Sequence, residues 1–401
     1  MKRNAKFNWI NRKNQWFYLL LMCILMLSVG FASFSQDLKI IFGGQVTGVE
    51  AYYYNNGYFY ISEQNAKVEY NPVSDKDKLK ITTMSGMFSY ISTAANGSDK
   101  NYFIYMMTPY TVTSDEIVVT GANIGIRRYS TNKDGSLFSI PNGLSFTVYA
   151  NQNGSIVFDG TSVSIESENI LGGVFHNEGT LTIGNTVGGK NNIKIYNSIS
   201  YGGAIYNSGT LSVTYVDITN NSNPASSNTK TICVGGIDNT SSGICSLNNV
   251  NITGNKSTAT NSYSNNVDAN GAGGIYYANT NSEIVLSGVV KIEGNTDFVN
   301  NPSNVYLYSK TNTLSTSVDA EAKFNAQNLD LTSSKIGITT RVKPRKVTIN
   351  IIVTITLYTI KPNVATVTNV NNTSGCFFSD KDGYSLGQGS NNTTLALQPS
   401  S

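Results

Sequence analysis

The chain holds a single histidine, His176, two residues before Glu178. An imidazole beside a carboxylate is a minimal unit for taking up and returning a proton, provided both groups stand on an outer face. A histidine that only fills a surface turn has the same spacing, and both readings stay open in the sequence. The nearby acids Asp159, Asp217, Asp238, Asp268 and Asp297 are scattered singly. Glycosidic hydrolysis wants two carboxyl groups facing one bond, and no two of these acids occupy adjacent or alternate positions of one strand. They could pair only if the fold stacked residues one repeat apart.

Other reactive types give less. There is no Gly-x-Ser-x-Gly elbow and no phosphate-binding loop. Past the first 35 residues three cysteines remain, Cys233, Cys245 and Cys376, an odd number without metal-ligand spacing. Cys245 falls on the inward side of an alternating stretch and reads as a buried thiol; a Cys233 to Cys245 bridge is the alternative. Tyr52-Tyr53-Tyr54 and Tyr58-Phe59-Tyr60 flank Asn55-Asn56-Gly57, a hairpin signal. Its rings either offer a sugar-stacking face or pack across strands in a β cap. No residue is assigned a catalytic, metal-binding or cofactor-binding role, no cofactor is expected, and the binding residues stay unassigned.

Whatever these side chains do, a repeat must position them. Doubled glycines open four units, at Gly172-Gly173, Gly202-Gly203, Gly235-Gly236 and Gly273-Gly274, with 30, 33 and 38 residues between successive starts. That is the scale of one supersecondary unit stacked on its neighbours. Each pair leads to an alternating stretch with Leu181 and Ile183, Leu211 and Val213, Cys245 and Leu247, or Ile284 and Leu286 on one side. Period two means strands with one buried face. A second short strand follows at Ile193–Ile195, Val216–Ile218, Val250–Ile252 and Val290–Ile292, and the last three lead to Asn221, Asn255 and Asn295 in equal register.

Short strands joined by Gly and Asn turns, with no helical pattern between them, suit a coil whose strands pair in parallel with the same strand one turn above. The glycines are expected where the backbone turns with positive φ. The asparagines are expected to stack amide on amide.

The phrases Gly202-Gly203-Ala204-Ile205-Tyr206-Asn207-Ser208-Gly209-Thr210-Leu211 and Val250-Asn251-Ile252-Thr253-Gly254-Asn255, with Asn304-Val305-Tyr306-Leu307 closing the series, resemble the right-handed parallel β-helix repeats of bacterial surface and secreted proteins. That group includes polymorphic outer-membrane-protein-like passengers and pectate-lyase-like folds. The resemblance implies an all-β, right-handed parallel β-helix over residues 85–340, and it extends to adhesins, structural proteins and polysaccharide enzymes alike. Arg341-Val342-Lys343 superficially resembles the Arg-x-Lys of polygalacturonases. The companion Asn-Thr-Asp, Asp-Asp and Gly-His-Gly elements are missing, so no catalytic role is carried over.

At the N-terminus, Lys2, Arg3, Lys6, Arg12 and Lys13 precede an apolar run from Trp16 to Phe31, with Ser33 and Ser35 before Gln36. This reads as a signal peptide over residues 1–35. Met22 before Cys23 is too large for a lipoprotein site. Removal of the segment leaves 23 of the 28 basic residues against 25 acidic ones, a balance that argues against a nucleic-acid partner. Residues 36–84 read as an N-terminal β segment. Met87, Phe88, Ile91 and Ala94 then carry helical spacing in a short cap over the first coil.

The Asn/Ser/Thr-rich stretches 223–231 and 257–272 read as loops projecting from the coil. Residues 341–401 read as a small C-terminal β appendage behind the basic stretch Arg341–Lys346. No tract has the strands of a transmembrane barrel, so the mature chain is not expected to be an integral membrane protein. The expectation is an exported, non-enzymatic surface or extracellular scaffold of adhesin type, binding glycans or the surface of a host or neighbouring cell. A polysaccharide lyase or glycoside hydrolase is the alternative.

Overall fold

The computed structural model describes residues 49–61, 78–95, 101–151, 153–165, 171–185, 188–224, 233–240, 242–258, 271–277, 282–307, 319–340, 346–354, 375–380, 383–388 and 394–399. The segment 1–35, Asp268, Arg341-Val342-Lys343 and most of the two projecting loops lie outside them.

The chain winds as a parallel β-helix with three faces. The first face stacks β1 (Val49–Asn55), β3 (Asn101–Met106), β6 (Asn123–Arg128), β9 (Ser155–Asp159), β12 (Ile193–Tyr196) and β15 (Val216–Thr219). It continues through the later halves of β17 (Ile244–Thr253) and β19 (Glu283–Glu293) to β22 (Lys335–Thr339).

The second face stacks β4 (Tyr110–Thr111), β7 (Phe138–Ile140), β10 (Phe175–Asn177), β13 (Ile205–Asn207), β16 (Ile237–Asn239), β18 (Ile275–Tyr277) and β20 (Val305–Leu307). The third runs through β5 (Glu116–Thr120), β8 (Ser145–Ala150), β11 (Thr180–Asn185), β14 (Thr210–Thr214), the earlier halves of β17 and β19, β21 (Asp319–Leu329) and β23 (Lys346–Thr354). All these pairings are parallel, so neighbouring rungs lie ~4.8 Å apart.

Alternation sends every second side chain inward, and one continuous core contains residues from Tyr52 to Leu395. In the early coils it is aromatic, with Phe138 stacked on Phe175 at 5.3 Å and on Phe146 at 5.5 Å. The middle coils fill it mainly with Leu, Ile and Val, and aromatic rings return at Tyr277, Phe324 and Phe377. The corners are single residues in the left-handed region. Tyr215, Asn249 and Gly288 bend the chain from the third face to the first at φ 56, 53 and 61.

The doubled glycines serve a different end from the one expected. Of the eight, only Gly172 and Gly203 have positive φ. The rest are explained by the close approach of successive coils: an added Cβ would stand 2.4 Å from the Gly274 carbonyl at Gly236 and 2.5 Å from the Asn304 carbonyl at Gly274.

The asparagines do stack. The Nδ2 groups of Asn221, Asn255 and Asn295 each donate to the Oδ1 of the next member, Asn255, Asn295 and Asn304, at 2.9 Å. The backbone N–H of each donor residue reaches the same oxygen at 3.0 Å. The run ends on Asp380, which accepts from Asn304 Nδ2 at 2.8 Å, Asn304 N at 3.0 Å and Thr339 Oγ1 at 2.6 Å. A carboxylate suits that end because it accepts without needing a partner to donate to. Burial raises its pKa, outweighing the lowering effect of these hydrogen bonds. A second ladder joins Asn177, Asn207 and Asn239 at 2.7 Å per step.

Both ends are closed. Helix α1 (Met84–Ala95) buries Met84, Met87, Phe88 and Ile91 in the core at the N-terminal end. Thr83 Oγ1 caps it by accepting from Gly86 N at 3.2 Å, and Glu116 accepts from Ser85 N at 3.2 Å. The acid also accepts from the Tyr110 hydroxyl, which itself accepts from Met84 N. Glu116 thus places a carboxyl at the positive end of the helix.

The tyrosine hairpin forms as expected, β1 pairing antiparallel with β2 (Tyr58–Ile61). It also pairs in parallel with β3, so it is a rung of the first face. Beyond residue 340 the stacking continues, with β23 against β21 and β24 (Phe377–Ser379) against β22. The hairpin β25 (Tyr384–Gln388) and β26 (Thr394–Pro399) then pairs antiparallel onto β23. No helix among the described residues is long and apolar enough to cross a membrane.

Candidate functional site

The second face carries the candidate site because its strands from β7 onward are three residues long and present one outward side chain each. In β10, Phe175 and Asn177 are fully buried, and His176 points the other way. The same alternation puts Tyr206, Asp238, Tyr276 and Tyr306 outward from β13, β16, β18 and β20. The register pairs them one to the next: His176 with Tyr206, Tyr206 with Asp238, Asp238 with Tyr276 and Tyr276 with Tyr306. Five residues spread over 131 positions of sequence, 176 to 306, thereby form one column along the helix axis.

The column has an open end and a closed one. At the open end the His176 ring lies 4.8 Å from that of Tyr206, and its Nε2 is 3.3 Å from Glu178 Oε1. Their side chains keep 27% and 53% of their surface in solvent. At the closed end Tyr276 and Tyr306 stack at 5.8 Å and 17°, and Val234 and Ala272 join them in a small apolar cluster outside the main core.

Asp238 stands between these halves and is only 4% exposed. Its Oδ1 has no hydrogen-bond partner. Burial away from water disfavours the ionised form and pushes the carboxyl up to about 7. The Tyr206 hydroxyl is also raised, first by burial and then by the charges of Asp238 and Glu178, while the Thr240 and Ser208 hydroxyls act to lower it.

The other acids singled out in sequence are engaged elsewhere. Asp159 accepts from the Tyr196 hydroxyl at 3.0 Å, Asn197 Nδ2 at 3.3 Å and Thr161 N at 2.8 Å, with Arg127 Nε at 3.5 Å. Asp217 holds the amides of Asn191 and Asn251 at 2.6 and 2.8 Å. Asp297 closes its own turn through Val299 N and Asn301 N.

The hairpin tyrosines offer no free sugar-stacking face. Tyr52, Tyr53, Tyr54 and Tyr60 are buried, Tyr53 stacks on Tyr105 at 5.3 Å, and Lys78 Nζ sits 3.3 Å above the Tyr58 ring. Cys233 and Cys245 are buried thiols not joined in a disulfide, and burial pushes Cys245 up to about 12. Among the described residues no three His, Cys, Asp or Glu side chains gather as metal ligands.

The column was hidden in sequence by one residue of drift. Counting from the glycine pairs puts His176 four residues after Gly172 but Asp238 three after Gly235, on opposite faces. Counting back from Asn177, Asn207 and Asn239, the inner ladder, puts His176, Tyr206 and Asp238 in line. Neither a family model, a curated protein nor a solved structure matches this chain.

Proposed function

We propose that this chain is an exported, non-enzymatic β-helix protein of the bacterial surface type, acting outside the cell or on its surface as a scaffold that binds glycans. The observation that carries the reading is the outward column His176–Tyr206–Asp238–Tyr276–Tyr306. Rungs ~4.8 Å apart repeat at about the length of one sugar unit, so a saccharide laid along the axis at the open end meets His176 and Tyr206 in phase, whereas Asp238, Tyr276 and Tyr306 are buried. Tyrosine and histidine suit that contact, each an apolar plane with a polar edge.

Binding is favoured over catalysis because the column holds one acid, Asp238, and the acid beside it, Glu178, stands in a different environment. Glu178 lies in solvent beside His176, and Asp238 is enclosed beyond Tyr206. The leader-like segment 1–35 supports export. Purified protein lacking that segment, incubated with neutral and acidic oligosaccharides, should retain some of them and release no product. New reducing ends or unsaturated-product absorbance, abolished by Asp238→Asn or His176→Ala, would replace this reading with a glycosidase or lyase.

A further inference from the structure

Among the described residues, Asp238 holds the one carboxyl oxygen that is buried without a hydrogen-bond partner. Its neighbours in the column show what the position accepts: Ser139, His176, Tyr206, Tyr276, Tyr306 and Thr339 all occupy it on other rungs. Inward packing on this rung is complete without it, since Ile237 lies in the core and Asn239 in the amide ladder. The position thus tolerates an aromatic ring or a small hydroxyl, yet holds a carboxyl with 4% exposure and an oxygen that bonds to nothing. An unpaired buried polar group is destabilising, and a break with the local rule of this kind marks function more often than packing.

We propose that the unpartnered oxygen of Asp238 is the anchor for a hydroxyl group of an uncharged saccharide, reached from the His176 end by rotation of the half-buried Tyr206 ring. The inference rests on the glycan-binding reading above and narrows its ligand to a class. Charge decides between classes. The outward column holds no lysine or arginine, and Glu178 stands at its mouth. A uronate would bring a third carboxyl to Asp238 and Glu178 with no lysine or arginine of the column to meet it. An ammonium group would have to be stripped of water in the same enclosure, a penalty that one carboxylate offsets poorly. A sugar hydroxyl brings neither cost, and a carboxyl that stays protonated toward neutral pH can both donate to it and accept from it.

Titration calorimetry at pH 6 with hexasaccharides tests this, using a neutral β-linked glucan, an oligogalacturonate and a glucosamine oligomer as probes. The neutral hexamer should bind best. Asp238→Asn, which keeps a neutral donor and acceptor, should stay within about threefold of the parent. Asp238→Leu should weaken binding by about tenfold while remaining folded by circular dichroism. Should the leucine variant not fold, Asp238→Ser, whose hydroxyl is too short to reach the ligand, takes its place with the same expected loss.

Unchanged affinity in the leucine or serine variant would overturn the anchor. Preference for the uronate or the amino sugar would overturn the class while leaving a glycan-binding scaffold standing. Failure of every hexamer to bind would sink the scaffold reading itself.

Discussion

Replacing Asn255 with alanine should cost this protein more than almost any other polar substitution in it. The Asn255 side chain accepts from Asn221 N at 3.0 Å and Asn221 Nδ2 at 2.9 Å, and it donates to Ile218 O and Asn295 Oδ1, both at 2.9 Å. The residue is fully buried, so water does not replace these bonds. Four bonds at a net ~1 kcal/mol each are lost, and the Asn221 N–H is left without a partner at a further ~1–3 kcal/mol, so the total is roughly 5–7 kcal/mol before relaxation. Asn221 Nδ2 keeps Ile195 O, and Asn295 Oδ1 keeps Asn255 N, which holds the damage to one junction.

The aspartate variant should fare no better. An oxygen in place of Nδ2 would face the acceptors Ile218 O and Asn295 Oδ1. The assay is urea denaturation of Asn255→Ala beside a control, Asn142→Ala, at an exposed turn residue, with amide exchange at Asn221 as a local readout. A cost within 1 kcal/mol of the control, or unchanged protection of the Asn221 amide, would refute the ladder as a source of stability.

Further outcomes follow from the same geometry. Gly236→Ala should destabilise by several kcal/mol or prevent folding, because its Cβ would stand 2.4 Å from a backbone carbonyl, whereas Gly121→Ala, with open space around it, should be nearly neutral; melting temperatures of the pair decide. Glu116→Gln should loosen the cap by about 1 kcal/mol, read as faster exchange over Met84–Ala95 with the β14 amides unchanged. Asp238 binds its proton more tightly folded, at about 7, than unfolded, at ~3.9, so the native state holds the extra proton in between, and stability should fall as pH rises through that window by at most ~1.4 kcal/mol per unit. Asp238→Asn should abolish that slope and be the more stable protein above pH 7; an unaltered slope would remove Asp238 as its source.

Much of the fold was legible because the repeat is written in chemistry that tolerates little substitution. Asn221, Asn255 and Asn295 share one register, and each must be an amide to donate and accept at once. The alternating pairs from Leu181 to Leu286 announced strands, and Met87, Phe88 and Ile91 announced the cap. The second face was harder to see. A three-residue strand such as Phe175–Asn177 is too short to establish a period, and its glycine pairs are spaced by backbone contact between coils.

The ladder also leaves the repeat where no local pattern could show it. After Asn295 it passes to Asn304, nine residues on, and then to Asp380, 76 residues further. The sequence left the Tyr53 ring either exposed for stacking or packed across strands, and it packs on Tyr105 because β1 is a rung of the first face.

The account depends on distant repeats being successive turns of one ladder, and spin-label distances measure that directly. On the third face the register runs Ile117, Thr147, Thr182, Ser212, Ser246, Val285, Asn325, each one rung from the next. With one label at 117 and the other at 246, 285 or 325, the separations should be about 19, 24 and 29 Å, rising by ~4.8 Å per rung. Distances that do not climb in equal steps, or that scatter as separate modules would, contradict the ladder and with it the column that joins His176 to Tyr306.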